Sequence, residues 1–106
     1  MHNGLARINP ADIDTEVRRA VPKLGPDVVR FRYTVQDDTT GDPAIYFRIV
    51  ITDSAASSRD ALRQSTEAIE NRVTSEINPY LRWGLFPYFS FRGESEQALM
   101  HEAEWS

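Results

Sequence analysis

Arginine is the residue type around which this chain could organise chemistry. Eleven of its twelve basic residues are Arg, and Lys23 is the single lysine. A guanidinium is planar and permanently charged, and it can grip a carboxylate or phosphate through two hydrogen bonds or lie flat on an aromatic ring. Four of these residues, Arg30, Arg32, Arg48 and Arg92, fall in segments of alternating polarity that also carry Tyr46, Phe86 and Tyr88. A set of that kind supports recognition of another protein or of an anion.

Covalent and acid–base chemistry finds little material. The chain has no cysteine, which removes thiol nucleophiles, disulfides and thiolate zinc sites. Its two histidines, His2 and His101, both lie near the chain ends. No GxSxG elbow, HExxH helix or glycine-rich phosphate loop occurs. The carboxylates Asp37, Asp38 and Asp42 fail as a calcium loop. Counting from Asp37 or Asp38, the sixth position is Asp42 or Pro43 where glycine is needed, and the twelfth is Arg48 or Ile49 where Glu is needed. They read as a solvated turn. Asp53 reads as a cap on the helix that follows it. The chain is therefore expected to be no enzyme, with no metal and no cofactor.

The elements that position the arginines are legible from periodicity. Asn9-Pro10-Ala11-Asp12 is a helix start, and Ile13, Val17, Ala20 and Val21 form one apolar stripe before Pro22 and Gly25-Pro26 end the helix. From Val28 to Gln36 the residues alternate, with Val29, Phe31, Tyr33 and Val35 on one face and Arg30, Arg32, Thr34 and Gln36 on the other. Asp37 to Pro43 is turn chemistry. Ala44 to Thr52 alternates again, with Ile45, Phe47, Ile49 and Ile51 inward, so an antiparallel hairpin is predicted.

A helix capped by Ser57 or Ser58 follows through Asn78, with Leu62, Thr66, Ile69, Val73 and Ile77 as its stripe. Pro79 interrupts it, and Tyr80 to Trp83 make one more turn up to Gly84. Leu85 to Arg92 is a third strand, with Leu85, Pro87, Phe89 and Phe91 inward, and Pro87 at a strand start or on an edge. Residues 94–106 form an acidic tail or a short helix capped by Ser95. That tail either frays or packs Leu99 and Trp105 on the body.

The predicted fold is α+β, a two-layer α/β sandwich in the order helix–strand–strand–helix–strand. A small mixed three-stranded sheet carries its helices on one face. The long helical connection suits a parallel crossover, and strand three is expected beside strand one so that the hairpin stays intact. Residues 1–93 form one domain, with 1–8 loose. The order alone also occurs in KH-type RNA-binding domains, but their GxxG loop is absent, since the glycines stand at 4, 25, 41, 84 and 93. No family resemblance is drawn from order alone.

The charge divides unevenly. The formal net charge is −4, yet Glu94, Glu96, Glu102 and Glu104 lie in a tail without Lys or Arg, leaving residues 1–93 neutral. No apolar run reaches the ~20 residues of a membrane span, and the first residues lack the pattern of a secretory signal. No membrane association and a cytoplasmic location are expected.

One sheet face is left without a helix. It carries Arg30, Arg32, Tyr46, Arg48, Phe86, Tyr88 and Arg92, and is the candidate interaction face. Residues 80–91 also hold six of the eleven aromatics, of which alternation leaves Trp83, Phe86 and Tyr88 for an interface. The expectation is a small non-enzymatic protein-interaction or self-assembly module, a homodimer or a partner of another protein. The alternative is a nucleic-acid or anionic-ligand binding domain using the same arginines.

Overall fold

The structure is a computed structural model and describes residues 8–105. Helix α1 runs over Pro10–Ala20, strand β1 over Val28–Asp37 and β2 over Pro43–Ile51. Helix α2 covers Arg59–Glu76, the short α3 Pro79–Trp83, β3 Phe86–Gly93 and α4 Glu94–Met100. Short 3₁₀ turns follow α1 at Val21–Lys23 and close the chain at Ala103–Trp105. The predicted α+β order is found. The expected loose segment, residues 1–8, lies outside the described residues except for Ile8, which packs against the core.

Local chemistry accounts for the boundaries. The Asn9 side chain accepts from the Ala11 amide at 3.0 Å, and Pro10 needs no amide partner in the first turn. Ser58 caps α2, accepting from Ala61 at 3.1 Å. Between α2 and α3, Asn78 takes a left-handed conformation (φ 46°). Its side chain accepts from the Leu81 amide at 3.3 Å, so the break before Pro79 becomes a new helix start. Gly84 ends α3 at φ 69°, a conformation that favours glycine. Gly25 sits at φ 102°, where any side chain would strain the backbone, with the Arg72 guanidinium close by.

The sheet order is β1-β2-β3, with β1–β2 antiparallel and β2–β3 parallel. The parallel crossover is as predicted, but its partner is not: β3 lies beside β2 rather than β1. Composition supplies the reason. Strand β2 is apolar on the helix side through Ile45, Phe47, Ile49 and Ile51 and also buries Pro43, Ala44 and Val50. A strand buried on both faces belongs in the centre. Pro87 accordingly stands second in an edge strand, where its missing amide is tolerated.

Helices α1 and α2 close the first face. Ile13, Val17, Ala20, Ile69, Val73 and Ile77 join Phe31 of β1 and the apolar residues of β2 in one core, and Phe31, Phe47, Phe89 and Phe91 have successive ring centroids 5.2, 5.2 and 6.4 Å apart. Removing such a core side chain leaves a cavity and costs roughly 2–5 kcal/mol. Arginines stitch the helices together: Arg19 binds Glu16 and Glu76, and Arg72 donates to the Leu24 carbonyl at 3.0 Å. Val29, expected in this core, is excluded from it. The pairing slips between Val28 and Arg30, so Val28 turns inward and Val29 turns out at the bulge.

Candidate interaction face

The register sorts the second face into four rows. At the loop end stand Gln36, Ala44 and Phe86; next come Thr34, Tyr46 and Tyr88; then Arg32, Arg48 and Ser90; and last Arg30, Val50 and Arg92. Successive rows are roughly 6.6 Å apart along the strands. All seven sequence-predicted residues are thus on one face, but they do not share one environment.

The last row is covered. Helix α4 turns back over the sheet, and the 3₁₀ turn at Ala103–Trp105 lies against β1 and β2. Val50 falls to 2% exposure and Trp105 to 7%. The Arg92 guanidinium sits 4.3 Å from the Trp105 ring centroid, donates to Gln97 Oε1 at 3.1 Å and pairs with Glu102. Arg92 therefore holds the C-terminal segment instead of facing outward. Arg30 borders the same cover, in a hollow with Val29, Glu94, Gln97 and His101. Between the two tail expectations, Trp105 packs while Leu99 stays 85% exposed.

Two expected caps change roles here. Asp53 does not cap α2. Its carboxylate accepts from the Ser95 amide at 3.0 Å and the Ser95 hydroxyl at 2.6 Å, fastening the start of α4 to the end of β2. Those bonds to Ser95 hold the Asp53 carboxyl below its ordinary range. Ser95 is thus held by a cap rather than acting as one, with Gly93 at the cap position. The contact spans 42 residues and leaves no local sequence signal.

Among the described residues no helix lies over the other three rows, although Ala44 is buried and Thr34, Tyr46 and Arg48 are half-buried. Tyr46 and Tyr88 stack with centroids 4.9 Å apart and planes 14° from parallel, and Phe86 meets Tyr88 edge to face at 5.2 Å. Arg48 donates to the Thr34 hydroxyl at 2.6 Å, and Arg32 donates to the Phe31 carbonyl at 3.1 Å. Phe86 is 50% exposed. Trp83, expected at an interface, is drawn to the other layer, where its indole N–H donates to Asp12 at 3.1 Å.

Beyond these rows lies a cleft of about 540 Å³ lined by Asp38, Asp42, Pro43, Tyr80, Phe86 and Tyr88, among others. Asp38 organises it. Its Oδ1 accepts from the Thr40 hydroxyl at 2.7 Å, the Thr40 amide at 2.9 Å and the Asp42 amide at 3.0 Å, and its Oδ2 accepts from the Tyr88 hydroxyl at 2.9 Å. These bonds, the Thr40 hydroxyl foremost, lower the Asp38 carboxyl to about 2. The same carboxylate raises the Tyr88 phenol above its ordinary value. Sequence reasoning placed Phe86 and Tyr88 here but missed the cleft. Its acidic wall depends on a contact across 50 residues, and its far wall on the turn at Asn78 that exposes Tyr80.

Among the described residues, no group of three or more His, Asp and Glu side chains is arranged to hold a metal ion. No described helix is long and apolar enough to cross a membrane. Neither a protein-family model, nor a curated protein, nor a solved structure matches this chain.

Proposed function

We propose that this chain is a small non-enzymatic protein-interaction module that self-associates through the three rows of its sheet face that no described helix covers. The observation that carries the reading is the Tyr46–Tyr88–Phe86 array, in which Phe86 and Tyr88 are exposed, Tyr46 is half-buried, and the side chains are held in place by their neighbours. Tyr88 is tied to Asp38, Arg48 to Thr34, and the two tyrosines stack. Aromatic and Arg side chains held in place before contact lose little freedom on binding, and these residue types dominate interface energetics. The carboxylates beside the array favour binding over proton transfer, since Asp38 is held ionised at about 2 and is poorly suited to donate a proton near neutrality.

The simplest partner is a second copy, with Arg32, Tyr46, Arg48, Phe86 and Tyr88 in the contact. Three rows on three strands are small beside the ~800 Å² per partner of a standard interface, so the dimer is weak, with Kd in roughly the micromolar to hundred-micromolar range. Sedimentation velocity over increasing concentration tests it. A concentration-dependent dimer that Phe86→Ser weakens is expected; a monomer throughout would remove self-association. A cytoplasmic setting belongs to this same reading.

The tyrosine stack beside Arg32 and Arg48 also favours a second reading, a platform for single-stranded nucleic acid. It has less support. Arg92 is paired with Glu102, Glu94 borders the hollow beside Arg30, and Asp38 and Asp42 set negative charge at the other end of the stack. Binding of a single-stranded oligonucleotide that falls steeply with salt would favour it, and no binding at low salt would eliminate it.

A further inference from the structure

We infer that the cleft at the loop end of the face binds a cationic side chain, the guanidinium of an arginine or the ammonium of a lysine, carried on an extended segment of a partner protein. This rests on reading those three rows as a contact surface, and it names the chemistry at their acidic end.

The walls are aromatic. Phe86 and Tyr88 meet edge to face on one side, Tyr80 stands 62% exposed, and buried Pro43 adds apolar surface. Ring faces attract cations through their quadrupoles, and the methylene stem of Lys or Arg can lie along such rings while its head stays polar. The rim is anionic. Asp38 and Asp42 both line the cleft, with the Thr40 hydroxyl 2.7 Å from one carboxylate and 3.3 Å from the other. Among the described residues no Lys or Arg lines the cleft, and no described ion pair includes either carboxylate.

Two neighbouring carboxylates with no described positive charge beside them attract a cation. An anionic ligand would be repelled, and a purely apolar one would desolvate the carboxylates without compensation. The volume of about 540 Å³ exceeds that of one side chain, leaving room for the flanking backbone of a segment.

The test uses three capped pentapeptides of Gly and Ser with a central Arg, Lys or Glu, titrated into the whole chain and followed by backbone amide NMR. The Arg and Lys peptides should shift Gly41, Gly84 and Tyr88 saturably, with Kd on the order of 1 mM or tighter, and bind more weakly as salt rises. Asp42→Asn should weaken binding about fivefold and Phe86→Ser about tenfold. Both side chains are exposed, and unchanged shifts elsewhere verify the fold. Equal binding of the Glu peptide, no saturable shift at about 10 mM peptide, or an undiminished Asp42→Asn variant would overturn the inference.

Sedimentation of the same samples separates the two proposals. A dimer that shows no saturable shift with the Arg or Lys peptide defeats the cleft and spares self-association. A monomer that binds the Arg and Lys peptides at the cleft spares the cleft and defeats self-association.

Discussion

Arg92 and Arg48 stand on the same sheet face, two rungs apart on neighbouring strands, and meet opposite fates. Arg92 is pressed on Trp105, bonded to Gln97 and paired with Glu102, beneath a segment that buries Val50. Arg48 touches Thr34 and stands beside a tyrosine stack that no described helix covers. The covered row shows what this protein does with an aromatic and a guanidinium when it uses them to hold itself together. The other three rows keep the same chemistry outward. Stability should therefore reside in the covered row and association in the other three, and each substitution below can break or sharpen that division.

Trp105→Ala should have the largest effect on stability. Emptying the space over Val50 should cost about 3 kcal/mol in urea unfolding, while self-association at concentrations where the fold persists changes little. Arg92→Met comes next, at about 1 kcal/mol, because the stem still packs on Trp105 while the bonds to Gln97 and Glu102 are lost. Phe86→Ser reverses the pattern. Its stability should stay within about 0.5 kcal/mol of the wild type while the dimer weakens roughly tenfold by sedimentation.

Asp38→Asn is read from the pH dependence of stability. The folded carboxyl at about 2 lies below its ordinary value of 3.8. Its contribution is therefore present above 3.8 and is lost as pH falls through that value toward about 2. The wild type should lose stability across that interval in acid unfolding, and Asp38→Asn should flatten the slope there. An unchanged slope would mean that Asp38 does not anchor the loop.

Alternation in residues 28–36, 44–52 and 85–92 reported all three strands, because one face of each meets helices and period two is hard to mistake. Caps at Asn9 and Ser58 and the stop at Gly84 were equally readable, since each satisfies donors only a few residues away. What escaped was non-local. The bulge that turned Val29 outward, the placing of β3 beside β2, and Asp53 reaching Ser95 depend on partners distant in the chain. Even so, Ala44 and Val50 on the outer side of β2 were signs of a central strand. The candidate face was legible as a list of residues but not as a divided surface, because only the folded tail shows which row Trp105 covers.

The division is tested most directly by sedimentation velocity on the wild type, Phe86→Ser and Trp105→Ala, across about 10 to 500 μM protein. A dimer that grows with concentration in the wild type, persists in folded Trp105→Ala and disappears in Phe86→Ser is the expected result. A wild type that stays monomeric throughout, or a dimer lost with Trp105 and kept without Phe86, would contradict it.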